Sequence, residues 1–342
     1  MNIQQTIALG LGGLALAAAG GLAARFHLGR RRVDRVWAAA RYPKLKNIGT
    51  VKRLTILPLI DRYTACHPST GGSTGSPRSS GQALVAEPGV SYLVRADDTT
   101  ILFDVGLNQR GEHPSPLLRN MQALGVPLEE VDYIVLSHLH LDHVGGMEYQ
   151  RKRTFGLSKQ PLNLEGVTAF VPEPMTHPTA QVEVVDGPQV IAPGIASIGP
   201  IPRQLFFFGW TPEQSLAVNV EGKGIVLITG CGHPTLQRIV ERAEMLFDEP
   251  IYGIVGGLHY PVTAPRGRFR LPMQRILGTG KWPWDPISKE DVEASITYLQ
   301  RRHPQLVALS PHDSCAWSIE AFRRAFERRY QDVQVGEEII VQ

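Results

Sequence analysis

Ser137-His138-Leu139-His140-Leu141-Asp142-His143-Val144-Gly145-Gly146 sets three imidazoles and a carboxylate within six positions, directly behind the largely apolar run Val131 to Leu136. Imidazole nitrogen and carboxylate oxygen suit borderline divalent cations such as zinc, and a catalytic site keeps a coordination position open for water. A lone histidine is easily satisfied by ordinary hydrogen bonds, whereas four candidate ligands at this spacing imply metal. Asp132 to Leu136 reads as a buried strand, being short, apolar and rich in β-branched and aromatic residues. If extended backbone continues through Ser137, His138 and His140 share one side, because side chains alternate with period two. Asp142 and His143 follow once the chain turns, and Gly145-Gly146 permits that bend. One short segment thereby offers ligands to two neighbouring ions.

These residues resemble the HxHxDH signature of the metallo-β-lactamase superfamily, an αββα sandwich of hydrolases that usually hold two metal ions. Ile101-Leu102-Phe103-Asp104-Val105-Gly106 resembles that family's early strand ending in Asp and Gly. Downstream, Leu227-Ile228-Thr229-Gly230-Cys231-Gly232-His233, Val255-Gly256-Gly257-Leu258-His259 and Ser310-Pro311-His312-Asp313-Ser314-Cys315 resemble the branch named for a dihydropterin ribofuranosyl-aminobenzene phosphate synthase. The resemblance covers about residues 50 to 342. It implies a four-layer αββα fold and two divalent ions, Zn2+ foremost with Mn2+ or Fe2+ as alternatives. By the same resemblance His233 joins His138 and His140 on one ion, and His312 joins Asp142 and His143 on the other. Cys231 stands where many members place a bridging Asp; it is either a thiolate ligand or a buried packing residue. His259 is expected in the pocket, as ligand or as proton donor to substrate. His177 lies in the gap where many members carry their third histidine. Asp104 is expected to steady a ligating imidazole through its outer N–H.

The remainder of the 342 residues agrees with one catalytic domain, 51–342, preceded by an extension. The net charge of +3 gives no global field for nucleic acid, and 43% hydrophobic residues supply a core. Cys66, Cys231 and Cys315 are too few and scattered for a disulfide framework. Expected elements are strands at 54–57, 91–95, 100–104, 215–220, 224–229, 251–255 and 306–309, with helices at 116–124, 234–247 and 289–302. Gly71-Gly72-Ser73-Thr74-Gly75 matches a nucleophile elbow only by chance, because no apolar strand precedes it and the 67–77 stretch is Gly/Ser-rich.

Residues 1–35 form the extension and 36–50 a linker. Ile7 to Ala24 is free of charge and is followed by Arg25, Arg30, Arg31, Arg32 and Arg35. That pattern predicts a single-pass membrane anchor with the enzyme on the cytoplasmic side, the alternatives being a cleaved signal peptide or a soluble apolar helix. An insertion at 261–288 carries Arg266, Arg268, Arg270, Arg275 and Lys281 with Trp282 and Trp284. It reads as a clamp for an anionic small molecule, a membrane-facing skirt or a solvated loop. The predicted chemistry is hydrolysis of an ester-type or phosphodiester-type substrate, with Asp142 and His259 as catalytic groups. The alternatives are a synthase-like transferase and a lactonase or thioesterase.

Overall fold

The computed structural model describes residues 3–64, 83–263 and 273–342, with side chains described for 18–64, 83–263 and 275–342. Cys66, the 67–77 stretch with its Gly-x-Ser-x-Gly match, and Arg266, Arg268 and Arg270 lie outside the described residues.

A long helix α1 (Ile3–Ala39) leads into strands β1 (Leu54–Ile60), β2 (Ser91–Ala96) and β3 (Thr99–Phe103), helix α2 (Pro116–Ala123) and β4 (Tyr133–Val135). Helix α3 (Met147–Lys152), β5 (Thr168–Val171), β6 (Gln181–Val184), β7 (Gln189–Ala192) and β8 (Ile195–Ser197) follow. A hairpin of β9 (Ile201–Leu205) and β10 (Gly209–Glu213) precedes β11 (Leu216–Val220) and β12 (Gly224–Thr229). The chain closes with α4 (Leu236–Leu246), β13 (Ile251–Gly256), α5 (Met273–Leu277), α6 (Lys289–Gln300), β14 (Leu306–Leu309), α7 (Ala316–Phe326) and β15 (Ile339–Val341).

Two sheets stack. One has the order β15-β1-β2-β3-β4-β5-β6 and the other β14-β13-β12-β11-β8-β7. Antiparallel pairing joins the outer hairpins, whereas β3 through β6 and β12 through β14 run parallel. Parallel strands need covered faces, which is why these strands read as continuous apolar runs. Val94, Ile101 and Val135 of the first sheet meet Val218, Val226, Ile228 and Val255 of the second in a central core. The outer face of the second sheet packs on Leu236, Ile239, Val240, Val292, Leu299 and Phe322, from α4, α6 and α7. The outer face of the first packs Leu93, Leu102 and Ile134 against Leu117 and Met121 of α2. Helix, sheet, sheet, helix is the expected layering, and the three helices and eight strands read from the sequence lie within about two residues of observed elements, save that β1 runs three residues past the expected 54–57.

The parallel pairing also positions the chemistry. β4, β12, β13 and β14 each end just before a segment carrying predicted site residues, namely 138–143, 231–233, 259 and 312. Parallel neighbours deliver their carboxyl ends to one rim.

The N-terminal helix corrects the expected anchor. Among the described residues no helix is long and apolar enough to cross a membrane. Phe26 and Val33, seven positions apart on one face of α1, are buried. Phe26 packs edge-on to Phe206 at 5.1 Å and to Trp282 at 4.6 Å between ring centroids. Arg32 lies over the Trp210 ring, and Arg238 pairs with Asp34. The five arginines read as a basic flank are exposed on the remaining faces of a helix docked against the β9–β10 hairpin. Of the insertion's tryptophans, Trp282 belongs to this aromatic contact, stacked on the exposed Trp284.

Candidate metal centre

Beyond Val135 the chain leaves the ladder after one more sheet-like bond, Leu136 N–H to Phe170 O. Ser137 there fixes the motif's entry. Its amide donates to Asp104 Oδ1 at 2.7 Å and its hydroxyl to Asp104 Oδ2 at 2.7 Å. Having donated its only proton, Ser137 Oγ accepts from His138 Nδ1 at 2.9 Å. His138 therefore presents a bare Nε2 inward. His143 is oriented the same way, its Nδ1 donating to Asp104 Oδ2 at 2.7 Å with neither side chain exposed. His233 Nδ1 donates to the Gly278 carbonyl at 2.8 Å, which likewise leaves its Nε2 bare.

The bare nitrogens converge. His138 Nε2 lies 3.0 Å from His140 Nδ1, and His233 Nε2 lies 3.2 Å from the same atom. A single ring N–H on His140 can satisfy only one of those two acceptors, so the trio is short of hydrogens and shaped for a cation. Burial pushes His138, His140 and His233 toward the neutral, ligating form, His140 to about 4 against the opposing Asp142 charge.

A second trio adjoins the first. Asp142 Oδ2 is 3.1 Å from His312 Nε2, and Asp142 Oδ1 is 4.0 Å from His143 Nε2. Burial opposes the Asp142 charge, yet His312 and His143 hold its carboxyl well below the usual range. Burial likewise disfavours a charged His143, but the Asp104 carboxylate outweighs it and raises the ring to about 9. That carboxylate favours any cation at Nε2, whether proton or metal. The potential ligand atoms in each trio, His138/His140/His233 and Asp142/His143/His312, all lie within 4.8 Å of one another. Cys231 sits beside both, its Sγ 3.1 Å from His143 Nε2 and within the same span of His138 and, on the other side, of His233 and His259. Burial, then Asp313 and Asp142, pushes its thiol up, so that without a neighbouring cation Cys231 stays protonated.

His259 lines the same cavity with a left-handed φ of 53°. Its backbone amide donates to Asp313 Oδ2 at 3.1 Å, and its Nδ1 stands 3.5 Å from that oxygen. His177 lies apart from the trios. Its Nδ1 accepts from the Thr179 and Ala180 amides and its ring stacks on Phe155, which makes it a turn residue.

Sequence reasoning missed several groups that hold the site. Buried Glu213, at the end of β10, accepts from the Gly232 and His233 amides at 2.7 and 2.8 Å and so seats the third histidine. Asp61 accepts from Ser310 Oγ at 2.7 Å, and Ser310 Oγ accepts from the His312 amide at 3.1 Å. Gly230 passes so close to the motif that a Cβ there would lie 2.2 Å from Ser137 Oγ. Phe208, from the hairpin turn, overlies His140 at 5.0 Å, and with Leu141 and Leu277 it gives the cavity of about 190 Å³ an apolar side. Gly230, Ser310 and Asp313 carried a signal, each standing inside a quoted motif, whereas Glu213, Asp61 and Phe208 carried none.

Two packed sheets bring imidazoles and carboxylates together at one rim, and residues 84–156 match the family described as the metallo-beta-lactamase superfamily. The chain is similar to 7,8-dihydropterin-6-methyl-4-(beta-D-ribofuranosyl)-aminobenzene-5'-phosphate synthase of Methanocaldococcus jannaschii, 26% identical over 63% of this chain and 80% of that protein. It is also similar to an N-acyl homoserine lactonase of Bacillus cereus, 23% identical over 53% of this chain and 75% of the relative. Among solved structures it shares its fold with Tm1679, a metal-dependent hydrolase of the beta-lactamase superfamily, with a TM-score of 0.54, 19% identity, and coverage of 84% of this chain and 99% of the other.

Proposed function

We propose that this protein is a binuclear metal-dependent hydrolase acting on a small ester-type or phosphodiester-type substrate. The observation that carries this reading is the adjacency of the two trios around one cavity, each with its ligand atoms within 4.8 Å and Cys231 beside both. His138, His140 and His233 would hold one divalent ion, and Asp142, His143 and His312 the other. The borderline nitrogen-rich donor set favours zinc. When bound, the ions supply Lewis acidity that acidifies water near neutral pH and polarises the oxygen under attack.

The chain's own groups do the rest. Asp142 orients the attacking water through whichever carboxylate oxygen is turned to the cavity. His259, anchored on Asp313, is placed to protonate the leaving group. Leu141, Phe208 and Leu277 exclude water along one side and accept an apolar part of the substrate. Similarity to the Bacillus cereus lactonase supports the ester reading, and similarity to the Methanocaldococcus jannaschii synthase supports group transfer to an acceptor other than water as the second reading.

The test is to measure bound metal in the purified protein and to screen phosphodiesters, lactones and thioesters in water enriched with heavy oxygen. Two ions per chain and one heavy oxygen in the product are expected. Metal-bound protein that turns over a substrate without incorporating that label would overturn hydrolysis in favour of transfer.

A further inference from the structure

A second cavity, of about 160 Å³, lies on the far side of Gly278 and shares His233 and His259 as a wall with the metal-centre cavity. Arg203, Lys281, Thr235, Gln237, Asp291 and Ser295 line its remainder. No part of the proposed hydrolytic step uses it. Its charges do not balance. Lys281 Nζ is bound to Asp291 Oδ2 at 2.6 Å, and the same carboxylate accepts from the Ser288 amide. Arg203 has no carboxylate within ion-pair distance among the described residues. One of its nitrogens, Nη2, donates to the Thr279 carbonyl at 3.0 Å, while Nε is buried without a hydrogen-bond partner.

The surroundings do not relieve that charge. Asp34, the one acidic group acting on Arg203 among the described residues, is already paired with Arg238 at 2.7 Å. Burial, then Arg238 and Arg30, lowers the guanidinium to about 10, which leaves it cationic at neutral pH. Gly280 lets the 278–281 strap that follows α5 lie directly on this group, since a Cβ there would stand 2.2 Å from Arg203 Nε. A guanidinium fixed by one carbonyl and without a carboxylate of its own, beside the Lys281–Asp291 pair in a cavity large enough for several waters, has the chemistry of an oxyanion site.

We propose that this cavity binds a small oxyanion, a phosphate or carboxylate group, with Arg203 as its principal partner and Lys281 as the second. The group arrives either as the charged end of the substrate or as free phosphate. Only the first source rests on the hydrolase reading, and the binding itself does not.

The experiment is calorimetric titration of the full-length, metal-loaded protein with inorganic phosphate and with phenyl phosphate, in the wild type, Arg203→Gln and Lys281→Met. We expect the wild type to take up one phosphate that Arg203→Gln binds about tenfold or more weakly, with metal content and circular dichroism unchanged. Lys281→Met, altering a partly exposed side chain, should weaken the same event and decides the matter if Arg203→Gln does not fold. Competition between phosphate and an ester substrate, lost in Arg203→Gln, assigns the cavity to the substrate's charged end. Phosphate uptake undisturbed by saturating substrate assigns it to the free ion. Wild-type stoichiometry and Kd in both variants, or no phosphate uptake by the wild type, would overturn the proposal even where hydrolysis is intact; absent turnover with Arg203-dependent binding would sink only the hydrolase reading.

Discussion

Asp104 Oδ2 receives the Nδ1 proton of His143 at 2.7 Å while both side chains are fully buried, and the same carboxylate receives the Ser137 amide and hydroxyl. One residue at the end of β3 thus sets the orientation of two motif imidazoles, His143 directly and His138 through Ser137. It does so from a left-handed φ of 60°, a conformation Asp tolerates better than most residues. The outer partners of ligating imidazoles raise their basicity and fix their tautomer.

Asp104→Asn tests that coupling. The amide can still accept one bond, but its NH2 faces donors and its charge is gone. Metal affinity is expected to fall about 10–100-fold, the ion at His143 being lost first, with secondary structure retained. Titration of the metal-depleted variant with zinc against a competing chelator measures it; wild-type affinity at both sites would show that the carboxylate serves packing alone.

Glu213 predicts a pH dependence of stability. Burial raises its pKa from 4.5 to about 7, against the stabilising effect of the Gly232 and His233 amides. A carboxyl raised in the folded state holds its proton longer than the unfolded chain does, so stability falls as pH climbs from about 4.5 to about 7 and levels off above. Glu213→Gln removes that titration. Its thermal midpoint should vary less than the wild type's across this window. Parallel Tm-against-pH curves for the two proteins would exclude Glu213 as the titrating group.

How far the sequence disclosed these arrangements depended on whether the signal was local. His138, His140, Asp142 and His143 fall within one turn, so their types and spacing announced the chemistry without tertiary knowledge. Glu213 and Arg203 are ordinary charged residues in short strands, and only folding brings them to the Gly232–His233 turn and the Gly280 strap. The β5–β10 region escaped assignment for a related reason. Its strands are three to five residues long, and β6, although Gln181-Val182-Glu183-Val184 alternates, is an exposed four-residue edge too short to stand out. The extension was misread because an Ala/Gly-rich run beside arginines has the same composition in an anchor as in a docked helix; the buried Phe26 contact with Phe206 and Trp282 settles it.

Gly278 is predicted to be irreplaceable. An added Cβ would stand 2.0 Å from His259 Cε1 and Nε2, a collision that ring and strap cannot both avoid. Gly278→Ala should displace His259 and strain the His233 Nδ1 bond to the Gly278 carbonyl, lowering turnover by about 100-fold. Gly20→Ala, where nothing lies within 4 Å, is the matched control and should leave turnover unchanged. Steady-state rates for the pair check this, and equal rates would mean that His259 takes no part.

His259 itself separates two roles that share one position. As a proton donor its loss should reduce kcat by about 100-fold or more while both ions stay bound, and it should reduce it least for substrates whose leaving group is a good nitrophenolate that needs no proton. As a ligand its loss should lower the metal count for every substrate alike. The 3.5 Å separation of its Nδ1 from Asp313 Oδ2, with the backbone amide on the same oxygen, gives a ring steered by a carboxylate. We therefore expect His259→Gln to retain two ions and to show a strong leaving-group dependence, with Asp313→Asn following the same trend more weakly. A metal count reduced to one in His259→Gln, with rates insensitive to the leaving group, would assign this histidine to the ions.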